Sequence, residues 1–140
     1  MKIAFDAKRA FRNRSGLGNY SRTLIRQLSF YYPGNEYMLL TPFRNSIEPD
    51  FPPKDTVVYS PEGKFYKAFK GFWRSYGIGN LLHSAKPDIY HGLSNELPFN
   101  IRSSGAKSIV TIHDLIFLRF PHLYKPIDRS IYLTKFRFAA

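Results

Sequence analysis

Five short apolar segments dominate what this chain can fold into. They are 2–6 (Lys-Ile-Ala-Phe-Asp), 36–41 (Glu-Tyr-Met-Leu-Leu-Thr), 56–59 (Thr-Val-Val-Tyr), 89–92 (Ile-Tyr-His-Gly) and 107–112 (Lys-Ser-Ile-Val-Thr-Ile). Each has strand length, and none alternates strictly between apolar and polar residues. A sheet built from them should be covered on both faces. Between them lie helical patterns. Tyr20, Leu24, Leu28 and Tyr31 fall on one face of a helix that Gly16-Leu17-Gly18 opens and Pro33-Gly34-Asn35 stops. The later part of 62–84 and the stretch from Pro126 onward, with apolar Ile127, Ile131 and Ala139, read as further helices. Residues 7–15, 42–55 and 93–105 read as loops, and 115–120 as a short turn or helix. Strands alternating with helices imply parallel crossovers, hence an α/β fold with a doubly wound, Rossmann-like parallel sheet.

Length and composition bound the rest. The chain has 140 residues, enough for one domain. Apolar residues make up 44% and charged residues 22%, a balance that buries a core. There is no cysteine, which excludes disulfides, cysteine zinc sites and thiol catalysis. No apolar run approaches the roughly 18 residues of a membrane span. The first residues are too quickly charged for a signal peptide, so a cytoplasmic protein is expected. The formal net charge of +11 favours anionic partners: nucleic acid, anionic lipid or phosphorylated small molecules.

In a doubly wound sheet, ligands collect beyond the carboxyl ends of the strands. Asp6, His91 and the pair His113-Asp114 stand at three such ends. Gly16-Leu17-Gly18 opens a helix beside them, and backbone N–H groups there can receive a phosphate. The same glycines can equally serve only the turn. Arg9, Arg12 and Arg14 lie just upstream. A dinucleotide fingerprint does not fit, because nine residues separate Asp6 from Gly16 and Ser21 occupies the third glycine position. No histidine pair has helical spacing, so neither a metal nor another cofactor is expected.

Residues 64–76 form a second pattern. On a helical wheel Lys64, Lys67, Lys70 and Arg74 share one side. Phe65, Phe69, Phe72, Trp73 and Tyr76 share the other. A basic face opposite an aromatic face suits a helix lying on an anionic membrane surface. The alternative is an ordinary core helix with solvated lysines.

Four segments, in order, resemble the N-terminal domain of GT-B-fold, family 4 retaining glycosyltransferases. They are Ile3-Ala4-Phe5-Asp6-Ala7-Lys8, then Gly16-Leu17-Gly18-Asn19-Tyr20 with Leu24-Ile25, then Pro87-Asp88-Ile89-Tyr90-His91-Gly92 through Glu96-Leu97-Pro98, and last Val110-Thr111-Ile112-His113-Asp114-Leu115 with Arg119-Phe120-Pro121. The resemblance implies one half of a two-domain enzyme. Residues 1–140 would be the acceptor-side domain, and a second, absent domain would hold most of a nucleotide-sugar donor. The last helix reaches Ala140 without a stop signal, so a truncated chain is expected.

The resemblance also implies roles. Gly16, Gly18 and Asn19 would face the donor diphosphate, and His113 the transferred sugar. Asp6, Asn95, Glu96 and Asp114 would line the acceptor side of the cleft. The family often has Arg at the position of Lys8, and Arg or Lys at that of Asn19; Arg9, Arg12 or Arg14 would supply the missing charge. In such enzymes the leaving phosphate can itself take the acceptor proton, so no carboxylate pair is needed. The acceptor would be a glycan or a lipid-linked glycan, met by a domain peripheral to the inner membrane face. The alternative is a basic nucleic-acid- or anion-binding module without catalysis. No RRM, KH or zinc-finger signature favours nucleic acid.

Overall fold

The structure is a computed structural model that describes residues 1–43, 45–61 and 69–140. Five strands form one sheet: β1 (Lys2–Asp6), β2 (Glu36–Leu40), β3 (Thr56–Tyr59), β4 (Ile89–Gly92) and β5 (Lys107–Val110). Their order is β3-β2-β1-β4-β5, and every neighbouring pair is parallel. This is the α/β, Rossmann-like sheet that the alternation of strands and helices implies. Among the described residues the α-helices are α1 (Lys8–Arg12), α2 (Gly16–Tyr31), α3 (Lys70–Phe72), α4 (Ile78–Ala85), α5 (Ile116–Arg119) and α6 (Pro126–Ala139). A π-helical turn, Trp73–Gly77, joins α3 to α4 without a break.

The pleat sorts the strand residues onto two faces. Ile3, Phe5, Tyr37 and Leu39 point to one side, where they pack with Phe11 of α1 and Ile25 of α2. Ala4, Met38, Leu40 and Tyr90 point to the other, where Trp73, Ile78 and Leu82 cover them. The central strands are therefore buried on both faces, which is why their sequences lack alternation. The margin is different: Lys107, Ser108 and Ile109 of β5 are exposed.

Three local details depart from the sequence patterns. The basic stretch 7–15 is not all loop, because Ala10 and Phe11 are fully buried and fold it into α1. The buried stripe of α2 is Gly18, Ser21, Arg22 and Ile25, while Tyr20 and Tyr31 are exposed. Leu24 and Leu28 are only partly buried at its margin. On α6, Ile127 and Ile131 are exposed, and Phe138 and Ala139 are the residues that pack against the core containing Trp73. Among the described residues no helix is long and apolar enough to cross a membrane.

Candidate functional site at the carboxyl edge of the sheet

From β1 the chain steps to β2 and β3 on one side, then returns to build β4 and β5 on the other. The switch point therefore lies between the carboxyl ends of β1 and β4, where loops diverge and leave a crevice. A cavity of about 290 Å³ opens there. The β1 end contributes Lys8 and Arg9, the β4 loop contributes Asn95 and Glu96, and the β5 loop contributes Asp114. Arg74 and Lys135 arrive from the π-helical turn and α6.

Charge organises the cavity floor. The buried Asp6 carboxylate accepts a hydrogen bond from Arg74 Nη2 at 2.5 Å. The same Nη2 pairs with Glu96, whose other oxygen receives Lys135 Nζ. Asp6 also accepts the backbone N–H of Lys8 at 3.2 Å. Two carboxylates are thus clamped by cations from distant elements. Arg74 Nε is buried and has no hydrogen-bond partner among the described residues. Lys8 is held to a pKa of about 8 by burial first, then by repulsion from Arg74 and Arg9. The Tyr90 phenol beneath is pushed well above its ordinary value by burial and by the Asp6 charge.

A polar chain lies on the opposite face of the sheet edge. His91 Nε2 meets Thr111 Oγ1 at 2.8 Å, and Thr111 Oγ1 meets the Tyr20 hydroxyl at 3.2 Å. The Tyr20 ring stands edge-on to His113, with centroids 5.1 Å apart. His113 Nε2 donates to the Leu93 carbonyl at 2.8 Å, which leaves Nδ1 as its open nitrogen. Burial holds the His91 imidazole below its usual pKa. Asn95 joins the two faces. It adopts a left-handed backbone (φ 61°), and its Oδ1 accepts the His113 backbone N–H at 2.8 Å. Asp114 Oδ1 accepts the Ile116 N–H at 3.2 Å, at the start of α5.

The glycine segment sits at the start of α2. Gly18 is sterically required: a Cβ there would fall 1.8 Å from the Asn13 carbonyl oxygen. Its N–H is engaged by the Ser15 carbonyl at 3.0 Å. Gly16 faces open space. Asn19 Oδ1 accepts from Arg22 Nη2 at 2.6 Å, and Arg22 Nη1 donates to the carbonyls of Ala10 and Asn13. Asn19 is therefore tied to a buried arginine that holds the preceding loop.

The basic face of 64–76 is only partly as the helical wheel suggests. Lys64 and Lys67 lie outside the described residues. Lys70 is exposed, with Nζ 4.7 Å from the Phe43 ring centroid. Arg74 is a correction: it is 8% exposed and points into the sheet edge, not onto a surface shared with lysines. The π-helical turn alters the angular spacing, and the buried Asp6 and the partly buried Glu96 carboxylates draw the guanidinium inward. Phe69, Phe72 and Tyr76 are exposed, whereas Trp73 is core.

The cavity thus brings together Asn95, Glu96 and Asp114, with Asp6 just behind. His113 and the glycines flank it. Sequence patterns missed Arg74, Lys135 and the aromatic side chains of α6 as parts of this site. Tyr132, Lys135 and Phe136 fall on one helical face, which was the available signal. Among the described residues no group of three or more His, Asp or Glu is placed to hold a metal ion. Comparison with protein-family models, curated proteins and solved structures gave no significant match.

Proposed function

We propose that this chain is the acceptor-side domain of a retaining glycosyltransferase that transfers a sugar from a nucleotide-sugar to a glycan or lipid-linked glycan. The observation that carries the proposal is the ordered set of four segments between Ile3 and Pro121. Support comes from their polar positions, since Asp6, Asn95, Glu96, His113 and Asp114 lie along one edge of the sheet around one crevice. A second Rossmann-like domain would close over that edge and hold the donor nucleotide. The N-terminal amides of α2 would face the donor diphosphate, and the leaving phosphate would take the acceptor proton. His113 Nδ1, left open by the bond from Nε2 to Leu93, is the atom available to the transferred sugar.

A membrane-bound acceptor would suit the exposed aromatics Phe69, Phe72 and Tyr76 beside Lys70. These features favour a peripheral position on an anionic bilayer.

The test is transfer itself. The protein comprising this chain and a donor-binding domain is incubated with nucleotide-sugars and glycan acceptors, and the product anomer is read by NMR. Transfer with retention of configuration is expected. Its absence across the common nucleotide-sugars, with donor binding intact, rejects the proposal.

A further inference from the structure

The cavity at the switch point has two unlike walls. One is cationic: Lys8, Arg9, Arg74 and Lys135 line it against the two carboxylates Glu96 and Asp114. Glu96 is already saturated by Arg74 and Lys135. Lys8 Nζ and the Arg9 guanidinium have no hydrogen-bond or ion-pair partner among the described residues. Arg74 Nε is a buried donor left unsatisfied, which costs free energy unless something polar arrives. The other wall is aromatic. Phe117 packs edge-on to Phe136, with centroids 5.8 Å apart, and lies 6.2 Å from the Tyr132 ring. Aromatic faces carry partial negative charge and attract the polarised C–H bonds of a sugar ring.

We propose that this cavity binds a sugar residue bearing an anionic group, a carboxylate or a phosphate, with the anion on Lys8, Arg9 and Arg74 and the ring against Tyr132 and Phe136. The inference rests on the glycan-acceptor function proposed above; the charge of the acceptor residue is what the cavity adds. Neutral sugars can satisfy an aromatic wall, but they leave Lys8 Nζ and the Arg9 guanidinium without an anionic partner. An anion supplies that partner through charge-assisted hydrogen bonds. The volume of about 290 Å³ accommodates one sugar ring, not an extended chain.

The test is binding to the 140-residue chain, followed by NMR shifts of backbone amides and by titration calorimetry. The probes are glucuronate, glucose 6-phosphate, glucose and inorganic phosphate. One or both anionic sugars should bind at least tenfold more tightly than glucose and than inorganic phosphate, shifting Asn95 and Lys135. Glucuronate alone would identify a carboxylate acceptor, and glucose 6-phosphate alone a phosphorylated one. Lys8→Gln should weaken binding tenfold or more, and Tyr132→Ala should weaken the sugar probes but not inorganic phosphate. Both variants should stay folded: Lys8→Gln should raise the unfolding midpoint at neutral pH, because it removes a charge that burial disfavours, and Tyr132 is exposed. Glucose binding as tightly as the anionic sugars overturns the inference and leaves the transferase proposal standing. Phosphate binding as tightly as glucose 6-phosphate also overturns it, reducing the cavity to a plain anion site. If the anionic sugars bind but the two-domain protein transfers nothing, the transferase proposal fails and the site remains.

Discussion

Arg74 and Asp6 meet at 2.5 Å although 68 positions separate them in the chain. The pair fastens the π-helical turn to the end of β1, and Glu96 draws the β4 loop into the same contact. Three elements that bound the crevice therefore share one guanidinium. Removing one member strands a buried charge, which costs far more than the pair contributes relative to an apolar replacement.

Arg74→Ala should destabilise the fold by about 3–5 kcal/mol, the cost of breaking a buried ion pair. Arg74→Ala with Asp6→Asn and Glu96→Gln should recover part of that loss. Urea unfolding followed by circular dichroism measures both. A loss below about 1 kcal/mol for Arg74→Ala, the range of exposed pairs, would remove the clamp from the account.

The two glycines at the start of α2 should separate steric need from function. Gly18→Ala places a Cβ 1.8 Å from a carbonyl oxygen and should cost about 1–3 kcal/mol. Gly16 has open space around its Cβ position, so Gly16→Ala should be neutral or stabilising by up to about 1 kcal/mol. Equal loss of stability in both variants would contradict the geometry. Loss of transfer in Gly16→Ala with full stability would point to donor contact there.

His113→Ala in the two-domain protein should lower kcat by about 10²-fold, the scale of one preorganised contact. Stability should change little, because His113 is only half-buried. Full activity in the variant would remove His113 from the reacting centre.

Alkaline pH should produce two opposed effects. Lys8 has a folded pKa of about 8, below its unfolded value of 10.5, lowered first by burial and then by repulsion from Arg74 and Arg9, against the attraction of Glu96 and Asp6. The folded protein therefore binds fewer protons, and stability should rise from about pH 8 to 10.5. Tyr90 is shifted upward, so its neutral form favours the folded state and its contribution fades as pH climbs past 10. Lys8→Gln should abolish the first rise while leaving the second fall. Chemical denaturation at stepped pH measures this, and an unchanged profile in the variant would reject the Lys8 assignment.

Vesicle sedimentation tests the membrane contact. Near an anionic bilayer each exposed cation is worth about 1 kcal/mol, screened by salt. Anionic vesicles should bind the protein at low salt, and Lys64→Ser with Lys67→Ser and Lys70→Ser should release it. Undiminished binding by the triple variant would assign the attraction to charge elsewhere.

The sheet was legible in the sequence because strand length, β-branching and interrupting helices are local properties. Asp6, His91 and His113 could be placed at strand ends for the same reason, since a strand's terminus is defined along the chain. Helix α1 was hidden because Phe11 is one apolar side chain among arginines, and its burial depends on the sheet beside it. The assignment of Arg74 to a basic surface failed for a related reason. A helical wheel records angles but not what stands opposite, and a π-helical turn changes even the angles. Whether a cation faces solvent or two carboxylates is decided by the elements folded against it. The charge at Lys8, the pairing of Lys135 with Glu96 and the aromatic wall of α6 likewise arise only when segments far apart in sequence are packed within a few ångströms. Desolvation and Coulomb energy depend on distance in space, and sequence spacing does not encode that distance.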